Sequence, residues 1–292
     1  MKKKINIKNR IFKVIIYSTL ILISLTCVLP IINLLAVSFS DKSSSVAGLV
    51  GFWPINFTLA SYKYIINQPA FWNAMNWTVG RVILGGGINL LLTVLTAFPL
   101  SKQTSEFKHR TLFAWFMFVT TIISGGLIPY YILIQTMGIN NTIWALVLPS
   151  ALPVFNVIIL LNFFRQIPKE LSEAAYIDGA GHNTILFKIF LPISMPALAT
   201  ITLFSIVGHW NSWFDAMIYM DNPVNYPLAT YLHSIIVNND TTALKSIQEM
   251  AFVSEKTTKA AQIFVAMVPI LIVYPFLQKY FVKGMIIGSV KG

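Results

Sequence analysis

Long apolar runs separated by short polar or charged stretches dominate the chain. Six runs, at about 14–39, 78–100, 111–136, 143–164, 195–220 and 260–281, each reach the roughly 20 residues a helix needs to cross the hydrocarbon of a bilayer. The pattern predicts an all-α, polytopic membrane protein with six transmembrane helices in a single transmembrane domain spanning 1–292. Barrel strands would instead alternate in hydrophobicity over about ten residues. Gly85, Gly86 and Gly87, Gly125 and Gly126 with Pro129, and Pro149 with Pro153 fall inside the runs. Such residues are tolerated where neighbouring helices re-satisfy the backbone and approach closely, so a packed bundle is expected. The first run follows Lys2, Lys3, Lys4, Lys8, Arg10 and Lys13 and superficially resembles a signal peptide, but it is longer than a secretory apolar core. A lipid anchor on Cys27 is disfavoured by the threonine before it. As the single cysteine, Cys27 supports no disulfide framework.

Composition agrees with the pattern. The chain is 56% hydrophobic and 11% charged, against about 25% charged in soluble domains. The net charge of +11 points to membrane topology and not to nucleic acid, because Lys and Arg collect on the cytoplasmic side. With the N-terminus inside, cytoplasmic segments hold fifteen Lys and Arg residues. Lys42, Lys63, Lys245, Lys256 and Lys259 lie outside, and Arg81 sits in a span. This bias predicts a multi-pass membrane protein with both termini cytoplasmic. Segment 165–194 becomes a cytoplasmic loop, and 40–77 and 221–259 become external loops whose aromatic, Asn and Pro content suggests folded caps.

The loop is unusual. Glu170, Glu173 and Asp178 are three of only ten acidic residues. Pro168 suits a helix start, and Glu170 and Glu173 follow where negative charge is favoured. Leu171, Ala174 and Ala175 share one small, smooth face. Gly179 and Gly181 end that helix. Asn183 can cap a second one running through Lys188, with Ile185 and Ile189 on one side. Pro192 and Pro196 close it and begin the fifth span. From these residues alone, a docking knob and a solvated amphipathic segment are equally open.

The stretch EAAYIDGAGHNTILFKIFLP resembles the EAA signature of importer-type ABC transporter permeases. Glu173, Ala174 and Ala175 match its start, Gly179 falls at its interval, and Ile189, Leu191 and Pro192 complete it. Six spans with the signature between the fourth and fifth are similar to sugar permeases of the maltose-system G-subunit type. The stretch YPLATYLHSII is similar to the branch serving polysaccharide-derived oligosaccharides. The resemblance implies that Glu173, Ala174, Ala175, Asp178, Gly179, Ile189, Leu191 and Pro192 belong to a coupling helix that docks on a dimer of ATP-binding subunits. ATP and Mg then reside on that partner, and this chain carries no cofactor of its own. A second permease subunit, a different chain, and an extracellular solute-binding protein complete the expected assembly, with an oligosaccharide as cargo.

The remaining residues refine this picture. No G-x-x-x-x-G-K-[ST] loop is present, so energy must come from a partner. His109, His182, His209 and His233 lack metal-ligand spacing, and no nucleophile–base set suggests an enzyme. In the fifth span, His209, Trp210 and Trp213 are expected on one arc, with Asn211 and Asp215 on the other. Ionisable residues in a span usually face a water-filled cavity. Amides and carboxylates suit sugar hydroxyls, and Trp suits sugar C–H faces, so these are candidate pathway residues. Interfacial anchoring of the tryptophans is the competing reading. Arg81, near the outer end of the second span, either snorkels to the interface or attracts a uronic-acid-containing sugar. A permease for an amino acid, a peptide or phosphate, and a stand-alone secondary transporter, remain the alternative functions.

Overall fold

The structure, a computed structural model, describes residues 7–238 and 254–289, with side chains for 11–236 and 254–276. Lys2, Lys3, Lys4, Lys245 and Lys291 lie outside the described residues, as does the middle of the second long loop, 239–253. So do the side chains of Lys8, Arg10, Lys279 and Lys283. Among the described residues every regular element is helical.

In chain order the α-helices are α1 (Ile7–Ser38), α2 (Lys42–Val46), α3 (Ala60–Ile66), α4 (Pro69–Ser101), α5 (Arg110–Ile122), α6 (Leu127–Thr136), α7 (Ile143–Val147), α8 (Val154–Phe164), α9 (Lys169–Ile177), α10 (His182–Ile185), α11 (Leu191–Ile193), α12 (Met195–Asn211), α13 (Phe214–Tyr219), α14 (Leu228–Asn238) and α15 (Glu255–Ser289). Three helical stretches are long and apolar enough to cross a membrane: Ile11–Ser38, Pro69–Ser101 and Glu255–Phe276. Three further candidates are bent pairs, so the count reaches six if each pair is one span.

Each bend has a local cause. α5 and α6 meet at 111° across Gly125 and Gly126, and Gly126 sits at φ +84°, a conformation glycine adopts without a Cβ penalty. Ile143–Ser150 and α8 meet at 47° around Pro149 and Pro153, which cannot donate helical hydrogen bonds. His182–Ile193 and α12 meet at 83°, with Pro196 in the first turn of α12. α4 starts at Pro69, a favoured first helical position, so residues 69–77, expected in an external loop, are helical. Buried Phe71 and Ala74 anchor this extra length.

The chain divides into two compact units. The first comprises Met1–Pro69 and Ile235–Met267. Its apolar cluster joins Ala36, Val37 and Val50 to Ala260. Asp41 caps α2 by accepting from the Ser44 amide at 3.3 Å, and Phe39 stacks on Phe57 and Tyr62. Segment 40–68 is therefore folded. Lys256 donates to the Ser45 carbonyl at 3.1 Å.

The second unit comprises Ala70–Ser234 and Val268–Gly292. Its largest cluster packs Ala97 and Phe98 of α4 and Leu160 and Phe164 of α8 against Ile185, Phe190 and Ile201. Phe98, Phe164 and Phe190 meet edge to face at centroid distances of 5.1–6.4 Å, a favoured aromatic geometry. A smaller cluster joins Ile134, Leu146, Ala216 and Met220. None of the residues of α5 is buried, and its Leu112, Trp115 and Phe116 are exposed. An apolar surface of this kind is one that lipid or a partner subunit covers.

Candidate substrate pathway

Two places in the second unit concentrate polar chemistry. The first lies where α4, the turn at Leu148–Ser150, α8 and α12 converge. α4 carries Arg81, Gly85 and Asn89 at four-residue intervals, so they share one face. All three are buried.

Arg81 is paired with Asp215. Its Nη1 donates to Asp215 Oδ1 at 3.1 Å, and its Nη2 donates to Oδ2. The guanidinium also donates to the Ser212 carbonyl at 3.3 Å, the Leu146 carbonyl at 3.4 Å and His209 Nδ1 at 3.4 Å. An arginine has no acceptor, so His209 Nδ1 accepts. The ring proton is then on Nε2, which donates to Asn89 Oδ1 at 2.6 Å. Asn89 Nδ2 donates onward to the Ser150 carbonyl at 2.7 Å. This relay fixes the His209 tautomer and orientation. Gly85 makes it possible, because a Cβ there would lie 2.5 Å from the His209 ring.

Asp215 is built into a break in the fifth span. α12 ends at Asn211, Ser212 is extended with ψ 122°, and α13 begins at Phe214. Asp215 Oδ1 accepts from Ser212 Oγ at 3.0 Å and from the Ala216 amide at 2.9 Å. Arg81 occupies the Ser212 carbonyl that the break frees. A buried backbone acceptor without a partner is costly, so the arginine stabilises the break as well as the carboxylate.

A cavity of about 370 Å³ opens against this network, lined by Arg81, Asn89, His209 and Asp215 together with Asn156 and Ser205. Asn156 Nδ2 donates to Ser205 Oγ at 3.2 Å. The lining offers amides, hydroxyls and a carboxylate beside apolar Phe155 and Phe204, which suits a hydroxylated ligand.

The structure brings together Arg81, His209 and Asp215 of the candidate residues. It separates the others, and the expected arcs of the fifth span do not form because the helix breaks between Asn211 and Asp215. Asn211 is exposed, and Trp210 is buried. Trp213 stacks on His233 with ring centroids 3.8 Å apart. Arg81 does not snorkel: it is 2% exposed and holds five hydrogen bonds. Asn89, Asn156, Ser205 and Gly85 were missed. The repeat Arg81–Gly85–Asn89 on one helix face was the available signal.

The second place is the segment carrying Glu173, Ala174, Ala175, Asp178 and Gly179. α9 runs Lys169–Ile177, and Gly179 takes φ +79° just past its end. Glu173, Ala174, Asp178 and Gly179 are exposed, while Ala175 packs against the large cluster. The second helix starts after Gly181, not at an Asn183 cap, and continues beyond Lys188 to Ile193. A widened π-type turn at Leu186–Phe190 precedes Pro192, whose missing N–H cannot bond the Lys188 carbonyl. Ile189 and Leu191 are half-buried against the cluster, and Pro192 is exposed. Lys102 Nζ lies 4.9–5.6 Å from the centres of Phe98, Tyr176 and Phe190, and the Tyr176 hydroxyl bonds His182 Nδ1 at 2.9 Å. Here α9 is tied to the end of α4. Among the described residues no His, Cys, Asp and Glu cluster is placed to hold a metal.

The family described as binding-protein-dependent transport system inner membrane component matches residues 6–287. The chain belongs to this family. Its members are multi-pass translocation subunits rather than enzymes, with ATP hydrolysis on a separate subunit. The polygalacturonan/rhamnogalacturonan transport system permease protein YtcP of Bacillus subtilis (strain 168) is 38% identical over 288 residues, covering 98% of this chain and 100% of its own. Protein LplC of the same organism is 39% identical over 266 residues, covering 91% and 90%. A solved bacterial ABC transporter involved in the import of the acidic polysaccharide alginate contains a chain with TM-score 0.85 and 30% identity, covering 94% of this chain and 98% of that one.

Proposed function

We propose that this chain is one of two permease subunits of an ATP-driven importer of acidic, uronate-containing oligosaccharides. The observation that carries the reading is near full-length similarity both to a permease for polygalacturonan and rhamnogalacturonan and to a chain of an alginate importer. Those three polymers share uronic acids. The polar cavity beside Arg81 and Asp215 is the part of the pathway this subunit contributes.

In this reading there are six spans, formed by α1, α4, α5 with α6, Ile143–Ser150 with α8, α12 with α13, and α15, and both termini are cytoplasmic. Segment 165–194 is the coupling loop, with Glu173, Ala174, Ala175, Asp178 and Gly179 toward the ATPase. Ile189, Leu191 and Pro192 root it in the bundle. ATP and Mg bind the partner ATPase dimer, a different permease chain completes the pathway, and an extracellular solute-binding protein delivers cargo. The exposed backbone of Gly179, held left-handed, supports a tight turn presenting α9. The test is calorimetry on the copurifying binding protein, with oligogalacturonates, alginate oligomers, neutral maltodextrins, amino acids and phosphate as ligands. Binding of the acidic sugars is expected. Binding of neutral sugars alone would overturn the acidic assignment, and binding of amino acids or phosphate would overturn carbohydrate.

A further inference from the structure

The Arg81–Asp215 pair raises a question that the proposed cargo sharpens. If a uronate passes this subunit, the buried guanidinium that would recognise it already holds a carboxylate. We propose that Asp215 stands in for the substrate: as the oligosaccharide enters, a uronate carboxylate exchanges with Asp215 on Arg81. This rests on the acidic-oligosaccharide reading above.

The pair is asymmetric in the way an exchange requires. The Arg81 side chain is 2% exposed and that of Asp215 is 26% exposed. Arg81 is fixed by partners other than Asp215, namely the carbonyls of Leu146 and Ser212 and the His209 ring. It therefore keeps its place and its two-pronged face when the carboxylate leaves. Asp215 keeps donors of its own in Ser212 Oγ and the Ala216 amide, both on Oδ1. It can turn away without losing all its hydrogen bonds. Both residues line the cavity, so an incoming anion reaches the guanidinium from the side where Asp215 stands.

Charge decides which ligands can do this. A carboxylate replaces a carboxylate, so the guanidinium stays neutralised, and the displaced Asp215 carries its charge at the cavity face, where it is 26% exposed and keeps Ser212 Oγ and the Ala216 amide as donors. A neutral sugar that displaced Asp215 would leave a buried cation with hydroxyl partners only, which is strongly unfavourable. Bidentate geometry on arginine is also specific to planar anions. Resting, the pair presents no net charge to the cavity, and neutral hydroxyls meet Asn89, Asn156 and Ser205. The pair thus acts as a carboxylate-selective contact that holds no substrate permanently.

The test uses the complete importer with its binding protein in proteoliposomes, given trigalacturonate or its fully methyl-esterified form, equal in length but uncharged. In Asp215→Asn the internal competitor is gone. The apparent KM for trigalacturonate is expected to fall at least about tenfold, the equivalent of one charge-assisted hydrogen bond. Its maximal rate should drop as release slows, and the KM for the ester should show no comparable fall. Asp215→Glu should restore the wild-type KM. Equal effects on acid and ester, or an unchanged KM for the acid, would overturn the exchange. Should Asp215→Asn fail to assemble with the ATPase, Arg81→Lys keeps the charge but removes the fork. The acid-to-ester preference must then fall, and a preserved preference refutes the exchange. If the wild-type importer moves no acidic sugar, the functional reading fails on that arm before any variant is compared, and the exchange falls with it.

Discussion

Replacing Gly85 by alanine should disrupt the polar relay although it adds only a methyl group. A Cβ at Gly85 would lie 2.5 Å from His209 Cε1 and Nε2 and 2.9 Å from Cδ2, so something must shift. His209 is buried and held at both nitrogens by Arg81 and Asn89, which makes it a poor candidate for easy movement. Overpacking of this kind costs about 1–3 kcal/mol, and a lost hydrogen bond to Asn89 adds about 1 kcal/mol. Against this stands a gain of about 1 kcal/mol from replacing glycine by alanine in a helix. The net expectation is destabilisation of about 1–3 kcal/mol, from those same terms. Gly86 and Gly87 supply the control, because a Cβ at either has nothing within 4 Å. There the helix term acts alone, and the variants should match or exceed wild type. Thermal unfolding of the detergent-solubilised complex measures all three. His209→Ala carries its own cost, but in that background Gly85→Ala should add little further loss, because the clashing ring is gone. Equal stability of the Gly85 and Gly86 variants, or the same Gly85→Ala penalty with and without His209, would refute the packing argument.

Other variants probe the pair and the coupling segment. Arg81→Gln should cost about 3 kcal/mol or more of stability, because it leaves Asp215 and the Leu146 and Ser212 carbonyls without their buried partner; Arg81→Met with Asp215→Leu should recover the carboxylate's share but not that of the carbonyls, and melting temperatures that do not separate the single from the double variant would contradict this. Gly179→Asp forces a side chain into φ +79°, a backbone cost of about 1 kcal/mol. It should insert and fold yet hydrolyse ATP without matching uptake, and wild-type uptake would remove Gly179 from the coupling surface. Lys102→Met removes the cation shared by Phe98, Tyr176 and Phe190. It should raise the ATP consumed per sugar transported, with Lys102→Arg near wild type, and an unchanged ratio would show the contact to be packing alone.

The long apolar runs were legible because bilayer thickness imposes a length that composition reveals directly. Their interruptions were harder to read. Gly126, Pro149 and Pro153 were visible in the sequence, but the same residues are compatible with a continuous span when neighbours re-satisfy the backbone. Which outcome occurs depends on tertiary partners, and those are absent from a hydropathy pattern. The break at Ser212 shows this most clearly, for Gly208 lies inside α12 and nothing in HWNSWFDAM is a strong helix breaker. The carbonyl freed there is accepted as a partner by Arg81, more than 130 residues earlier in the chain.

The site followed the same logic. Each ionisable residue in an apolar run was identifiable by its cost, and the structure sets Arg81, His209 and Asp215 side by side. The arcs expected for the fifth span do not form because helical periodicity was carried through a segment that is not one helix. Once α12 stops at Asn211, Asp215 no longer follows Asn211 by one turn, and the carboxylate is free to face Arg81. The pairing also alters what Arg81 can mean. A lone buried guanidinium would attract any anion and retain it, which opposes transport. A guanidinium already matched by Asp215 attracts weakly at rest and binds only a ligand able to replace what it holds. Recognition and release are then two directions of one exchange. Lowering the partner's charge should therefore tighten substrate binding and slow its passage, an outcome that a static sugar site on the same residues would not produce.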